Sequence, residues 1–162
     1  MANPTESGVI TCKWDVKGNA WKCGRHTGVD FKAARNTPII AIADGKVVYA
    51  GRAGWGPSYG LHVLVQHGDK RVIYAHLSRL NLQGIKDKTL AEGDVLGWSG
   101  ATGNCFGPHL HLEARVAPYR YDVDAVDPMP LVTGKTDTDE DAPKPAKKAS
   151  TSPKKVVTDE TN

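Results

Sequence analysis

The sequence has few cysteines and no long hydrophobic run. No stretch of about 18 apolar residues occurs, which excludes a transmembrane helix. Only three cysteines are present, Cys12, Cys23 and Cys105, and an odd number does not indicate a disulfide framework. No Cys-x-x-Cys pair occurs, which excludes a zinc ribbon made from cysteines alone. Cys12 and Cys23 would form a disulfide in an oxidising compartment and remain free thiols in a reducing one.

The sequence also lacks several signals of location and chemistry. Residues 1–20 contain no apolar stretch of about 7–15 residues, so we expect a protein made without a cleaved secretory leader. The formal net charge of +3 is too small to indicate a nucleic-acid-binding protein. The motifs of serine hydrolases, P-loop proteins, dinucleotide-binding enzymes and His-Glu-x-x-His peptidases are absent, and these classes are therefore poorly supported.

Aromatic residues are missing from the last part of the chain. All Trp, Tyr and Phe residues lie at or before Tyr121, and residues 135–162 contain six lysines, six acidic residues and a single apolar pair. Such a segment cannot bury enough surface to offset the entropy lost on ordering it. The sequence therefore predicts a folded domain over residues 1–134 and a disordered, charged tail over 135–162.

Within residues 1–134, short β-branched runs alternate with glycine-containing turns. This alternation predicts an all-β domain built on an antiparallel sheet. Strands are predicted at 38–43, 46–50, 61–67, 70–75, 95–98 and 109–116, with a short helical turn near 81–85. Asp44-Gly45 predicts a hairpin between the first two strands. The predicted core residues are Val47, Val63, Val65, Ile73, Leu77 and Leu110.

Histidines form the clearest candidate site. His26 and Asp30 are four residues apart around Gly28, which lets both side chains converge if the backbone turns tightly. His109 and His111 are two residues apart on a predicted strand, so they face the same side. His76 ends another predicted strand. Two imidazole nitrogens and one carboxylate suit Zn²⁺ with an open fourth position, as in catalytic zinc sites.

The segments that carry these residues resemble a known family. GRHTGVDF, YAHLS and GPHLHLE occur in this order, with PIIAIADGKVVYAG and EGDVLGWSGATG between them. Together they resemble the zinc endopeptidases of the lysostaphin/LytM type, the M23 peptidases, from about Gly24 to Leu131. The resemblance implies that His26, Asp30 and His111 bind one Zn²⁺ and that His76 and His109 are catalytic residues. It leaves open which of His76 and His109 accepts a proton first.

The remaining histidines and one loop are less distinctive. His67 is predicted to be structural, and His62 is predicted either to line the groove or to face water. Five residues apart on a regular strand, the two lie on opposite faces and make a poor ligand pair. The glycine-rich loop that carries Trp55 and Tyr59 is either a wall of the substrate groove, as the resemblance implies, or an ordinary surface loop.

The chain departs from the family pattern just before the last motif. Cys105 and Phe106 stand where the family commonly has small hydroxyl residues, and this makes the groove wall more apolar. Cys105 is four residues before His109, and an additional contact to the metal is left open, although the implied ligand set is complete without it.

The implied function is hydrolysis of peptide bonds in the cross-links or stem peptides of bacterial peptidoglycan. We expect a monomer that neither binds nucleic acid nor inserts into a membrane. The expected source is a bacteriophage endolysin, made in the host cytoplasm and acting on the wall after release; otherwise the protein is extracellular. Two alternatives are a non-catalytic relative that binds peptidoglycan or activates an amidase, and a carrier domain with a modified lysine. The carrier would not explain the histidines.

Overall fold

The computed structural model describes residues 2–85 and 88–134. The tail predicted at 135–162 lies outside the described residues, so the domain boundary at 134 stays a prediction. No helix within the described ranges combines the length and the apolar character needed to cross a membrane.

Strands make up most of the regular secondary structure in the described residues, and the predicted all-β class is confirmed. Two short helices, α1 and α2, and a 3-10 turn accompany the sheet; they span Leu82–Ile85, Met129–Thr133 and Pro57–Tyr59. Ten strands occur in the described residues, all paired antiparallel: β1 Ile10–Cys12, β2 Val29–Lys32, β3 Pro38–Ile40, β4 Gly45–Gly51, β5 Leu61–His67, β6 Lys70–Leu80, β7 Thr89–Leu90, β8 Val95–Ser99, β9 His109–Val116 and β10 Ala125–Val126.

The sheet places the two longest strands side by side. Its main path runs β1-β2-β9-β6-β5-β4-β7, and β10 pairs with the end of β9. Strand β8 joins the far end of β6 and carries β3 on its other edge. Strand β9 therefore lies between β2 and β6, and residues from these three strands can meet on one face of the sheet.

Asp44-Gly45 does not close a hairpin, and that prediction is wrong. Strand β3 pairs with β8, whereas β4 pairs with β5 and β7. The side chain and the backbone carbonyl of Asp44 instead form hydrogen bonds with other segments of the chain. Its side-chain oxygen accepts a hydrogen bond from the backbone of Glu92, and its carbonyl accepts one from the ring of His67, both at 2.9 Å.

Both faces of β9 are covered. The side chains of Leu110, Leu112 and Ala114 point into the main hydrophobic core. The alternating positions, from His109 to Arg115, point to the opposite face, where even Glu113 is fully buried. All six predicted core residues are buried: Val47, Val63, Val65, Ile73, Leu77 and Leu110.

Strand β6 changes partner at His76. Ala75 pairs with His111 of β9, and Leu77 pairs with Ser99 of β8. Between them His76 has a left-handed backbone conformation, with φ of 64°. Such a conformation is uncommon outside glycine and marks a position that the surrounding structure must hold in place. The bend brings the His76 ring next to the histidines of β9.

Candidate metal centre and active site

The five residues predicted for the site surround one centre. Asp30 on β2 and His111 on β9 are directly paired across the two strands. The Asp30 Oδ1 atom lies 2.9 Å from His111 Nδ1 and 3.2 Å from His26 Nε2, and the two nitrogens lie 3.3 Å apart. His109 Nε2 is 3.7 Å from the same Asp30 oxygen. The ring of His76 lies 5.0 Å from that of His109 between centroids.

The three closest donor atoms fit a zinc ion. Zinc binds imidazole nitrogen at about 2.0–2.1 Å and carboxylate oxygen at about 2.0–2.2 Å, so tetrahedral ligand atoms lie about 3.3–3.5 Å apart. The separations among His26 Nε2, Asp30 Oδ1 and His111 Nδ1 are 2.9–3.3 Å. A small outward movement of the side chains would therefore admit the ion.

Hydrogen bonds set the tautomers of His26 and His111. His26 Nδ1 lies 2.9 Å from the Lys13 carbonyl, which only accepts, so this nitrogen carries the proton. His111 Nε2 lies 2.9 Å from Glu113 Oε1 and donates to it. In the neutral form of each ring the other nitrogen carries the lone pair, and in both rings that nitrogen faces Asp30. This is the arrangement that metal-binding histidines require.

His76 and His109 are oriented in the same manner. Their Nδ1 atoms lie 2.7 Å from the Thr102 carbonyl and 2.9 Å from the Gly107 carbonyl, respectively. Both carbonyls only accept, so each Nδ1 carries the proton and each Nε2 keeps its lone pair. The free nitrogens belong to rings that line the same groove as the metal-site residues.

Charges around the centre favour a cation. Burial alone would raise the pKa of Asp30, but hydrogen bonds to His111 and His26 hold that pKa far below its usual range. Burial alone would lower the pKa of His111, but hydrogen bonds to Asp30 and Glu113 raise it to about 9. The two carboxylates thus stabilise positive charge between them. A metal ion that binds at His111 would displace its second proton.

Glu113 is a functional residue that the sequence analysis missed. Its Oε1 atom accepts hydrogen bonds from His111 Nε2, Thr27 Oγ1 and Tyr59 OH, at 2.9, 2.9 and 2.8 Å. Its Oε2 atom accepts one from Arg115 Nε at 2.8 Å. The period of two that pairs His109 with His111 continues to Glu113, so the HLHLE segment already contained the signal.

The loop with Trp55 and Tyr59 closes over this buried carboxylate. The Arg115 guanidinium lies 3.7 Å from the centroid of the Trp55 ring and donates to the Tyr59 hydroxyl at 3.0 Å. Burial, together with the charge of Glu113, raises the pKa of Tyr59 well above its usual range, so the hydroxyl stays protonated and donates. The loop therefore serves as a cover for the ion pair as well as a wall of the groove.

A groove of about 680 Å³ runs past the five predicted residues. The rim includes Lys22 and the fully exposed Phe106. Five aromatic side chains line it: Trp21, Trp55, Tyr59, Phe106 and Tyr121. Of the two interpretations of the glycine-rich loop, the groove wall is the one that the structure has.

The two other histidines are structural. His67 donates to the Asp44 carbonyl and accepts from the Tyr74 hydroxyl at 2.8 Å, as a structural role predicts. His62 neither lines the groove nor faces water, and that prediction is wrong. It is completely buried under the loop, where it contacts the Gly60 carbonyl and the Trp55 amide.

The three cysteines are free thiols in the structure. Cys12 and Cys23 do not form a disulfide. The Cys12 thiol instead lies within 4.8 Å of donor atoms of His26 and Asp30, and the Cys105 thiol lies within 4.8 Å of ring nitrogens of His76 and His109. Sequence spacing does not indicate the first of these contacts, because it depends on the pairing of β1 with β2.

Gly28 is required by the approach of β2 to β9. A Cβ atom at this position would overlap the Leu112 carbonyl oxygen and come within 2.9 Å of the His111 ring. The absence of a side chain thus lets the two strands bring their site residues together.

Comparison with known proteins identifies the family. A model of Peptidase family M23 matches residues 24–128. The chain is 38% identical over 109 residues to the glycyl-glycine endopeptidase ALE-1 of Staphylococcus capitis, a match that covers 67% of this chain and 29% of that protein. It is 42% identical over 93 residues to the DD-carboxypeptidase/endopeptidase Mpg of Neisseria meningitidis, covering 56% of this chain and 20% of that protein.

A solved structure agrees with these sequence matches. The catalytic domain of lysostaphin from Staphylococcus simulans matches with a TM-score of 0.63 and 32% identity, covering 76% of this chain and 91% of that domain. The chain spans less than a third of the two curated relatives, and its likeness to lysostaphin extends over nearly the whole catalytic domain. Because the family model matches well over half of its residues, the chain belongs to peptidase family M23.

Proposed function

We propose that this chain is a zinc-dependent endopeptidase that hydrolyses peptide bonds in the cross-links or stem peptides of bacterial peptidoglycan. One observation carries the proposal. Four imidazoles and one carboxylate converge on a groove, and in each ring a hydrogen bond at the outer nitrogen leaves the inner nitrogen to carry the lone pair of the neutral form. An arrangement that only stabilised the fold would not need four rings with the same orientation.

The metal site in this proposal consists of His26, Asp30 and His111. They would hold one zinc ion through Nε2, Oδ1 and Nδ1. When bound there, Zn²⁺ supplies polarisation of the scissile carbonyl and lowers the pKa of a water molecule toward about 7. Three protein ligands leave a fourth position for water or substrate, which distinguishes catalytic from structural zinc sites.

His76 and His109 would transfer protons in this reaction. Burial, together with the neighbouring His111, lowers the pKa of His76 to about 4. A neutral His76 therefore presents its Nε2 lone pair to the groove at neutral pH. One of the two imidazoles would accept the proton of the attacking water, and a protonated imidazole would donate to the leaving amine. Either order of roles is chemically allowed, since both rings can accept and donate a proton.

The groove and the relatives support a peptide of the cell wall as substrate. Aromatic rings line the groove beside the candidate metal centre, which suits the binding of a peptide. The two curated relatives are named for different bonds, glycyl-glycine in one and a DD bond in the other. The particular bond is therefore left to experiment, and the expected monomer, bacteriophage origin and site of synthesis stay predictions.

Lysis of purified cell walls tests the proposal. The zinc-loaded protein should reduce the turbidity of walls, a chelator should abolish this, and added zinc should restore it. His109→Ala should retain its zinc and lose lysis, and mass spectrometry of the soluble products would then identify the bond. If the zinc-loaded wild type lyses none of several wall chemotypes, the protein is instead a wall-binding or amidase-activating member of the family.

A further inference from the structure

A second group of metal-binding side chains lies beside the proposed zinc site. The Cys105 thiol and one ring nitrogen each from His76 and His109 are all within 4.8 Å of one another. The Cys105 Sγ atom is only 3.3 Å from His109 Nδ1. This group shares no residue with His26, Asp30 and His111.

The donor set matches a soft cation. Zinc binds thiolate sulfur at about 2.3 Å and imidazole nitrogen at about 2.0–2.1 Å, so a sulfur and a nitrogen on one tetrahedral ion lie about 3.6 Å apart. The three donor atoms lie within 4.8 Å of one another, so small movements of the side chains would bring them to this spacing. Thiolate with imidazole is also a combination that selects Zn²⁺ and similar soft ions over Mg²⁺ or Ca²⁺.

The group is open to solution but held by the fold. His76 is buried at the bend of β6, whereas Cys105 and His109 are half-buried and line the groove. The ring of His76 is fixed through Thr102, and the segment with Cys105 leads directly into β9. An ion that enters the groove can therefore reach all three side chains without unfolding any strand.

We propose that His76, Cys105 and His109 form a second, inhibitory site for a thiophilic divalent cation such as Zn²⁺ or Cd²⁺. On binding, the S–H bond of Cys105 breaks, the metal–sulfur bond forms and the proton passes to solvent, with no change of oxidation state. The inhibitory part rests on the proposed function, in which His76 and His109 transfer protons. Because the ion binds one nitrogen of each ring, neither ring can both accept and release a proton while the ion is bound.

The effect on activity is a biphasic response to metal. Wall lysis should rise as the first equivalent of zinc binds and fall as a second equivalent binds. In Cys105→Ser, inhibition relative to the variant's own maximum should require at least about tenfold more zinc, since losing even an outer partner of a metal site costs about 10–100-fold in affinity.

A spectroscopic test does not depend on lysis. In the Cys12→Ser/Cys23→Ser background, Cys105 is the only thiol, so any thiolate-to-metal charge-transfer band reports on it. The zinc-loaded background protein, titrated with Cd²⁺, should develop this band in the near ultraviolet and reach a plateau at one equivalent. Adding Cys105→Ser should abolish the band. The single variant Cys23→Ser, which retains Cys105, is the matched control and should keep it.

The outcomes separate the two proposals. Binding of the second ion without a charge-transfer band, or inhibition that is unchanged in Cys105→Ser, would overturn the inhibitory site while lysis stands. A Cys105-dependent band in a protein that lyses no wall would instead support the metal site and contradict the proposed peptidase.

Discussion

The Nε2 atom of His111 lies 2.9 Å from Oε1 of Glu113, two residues further along the same strand. Glu113 is fully buried, and its other oxygen is bound by Arg115. The carboxylate therefore fixes which nitrogen of His111 faces Asp30, and Arg115 balances the charge of the carboxylate. His111 is oriented by its own strand, with no mobile loop between the two residues.

Glu113→Gln should weaken zinc binding by about 10–100-fold, because an uncharged amide holds the His111 tautomer less firmly. Competition with a chromophoric chelator measures the affinity, and ¹⁵N NMR of the ring reports the tautomer. Thr27→Val is the control, since it removes another donor to the same Glu113 oxygen and leaves the contact with His111. A folded Glu113→Gln protein with wild-type zinc affinity would show that Glu113 has no positioning role.

Metal content should divide the five predicted residues into two groups. Each of His26→Ala, Asp30→Ala and His111→Ala should lose bound zinc and lysis together. His76→Ala and His109→Ala should keep about one equivalent of zinc and lose roughly 10²–10⁴-fold in turnover, the usual contribution of acid–base groups. Elemental analysis of purified variants and turbidity assays supply both readouts. Full activity in His76→Ala would refute its assigned role.

Gly28→Ala should reduce both stability and metal affinity. The added methyl group meets the Leu112 carbonyl and the His111 ring, and overpacking of this kind costs about 1–3 kcal/mol. Gly107→Ala is the matched control near the same site, because no atom lies within 4 Å of its Cβ position. Chemical denaturation and zinc titration of the two variants should therefore differ clearly. Equal behaviour would mean that β2 and β9 have room to separate.

His67 should make the fold less stable at mildly acidic pH. Burial lowers the pKa of His67 in the folded protein, whereas the unfolded chain has the ordinary value of about 6.5. Below about pH 6.5 the unfolded state therefore binds a proton that the folded state does not, and the free energy of unfolding falls as the pH falls. The full contribution is present above that pH.

His67→Asn keeps a donor for the Asp44 carbonyl but has no group that titrates. Its free energy of unfolding, measured with excess chelator from pH 7.5 to 5, should fall less steeply than that of the wild type. The difference in slope is at most about 1.4 kcal/mol per pH unit for one proton. Parallel curves would mean that His67 is protonated equally in both states.

Local sequence patterns predicted much of the fold and the site. Six strands of the sheet, the short helix and the core residues follow from β-branched runs and turns, and the common face of His109 and His111 follows from the period of two. Strands β1, β2, β7 and β10 were missed because each has only two to four residues. The sequence ITC or VDFK alone does not distinguish a strand from a loop.

The remaining differences arise from contacts between distant segments. The Asp44-Gly45 pattern predicts a hairpin between β3 and β4. In the structure β3 pairs with β8 instead. The left-handed backbone at His76 lies where the pairing partner of β6 changes from β9 to β8. No local sequence pattern reveals this change of partner. The loop with Trp55 and Tyr59 contributes to the burial of Glu113 and His62. Burial of polar residues by a distant loop is a property of the assembled fold.

Because β9 lies between β2 and β6, the site residues and the walls of the groove come from different parts of the chain. Reactive residues lie on β2, β6 and β9 or directly beside them, where the strand ladder fixes their spacing. The walls of the groove come mainly from connecting segments, around residues 20–22, 55–59 and 104–106. Insertions and substitutions in these segments leave the ladder intact. In the proposed peptidase, preference for one wall type over another can therefore diverge among descendants, or be redesigned by exchanging loops, while the strands that carry the site residues stay unchanged.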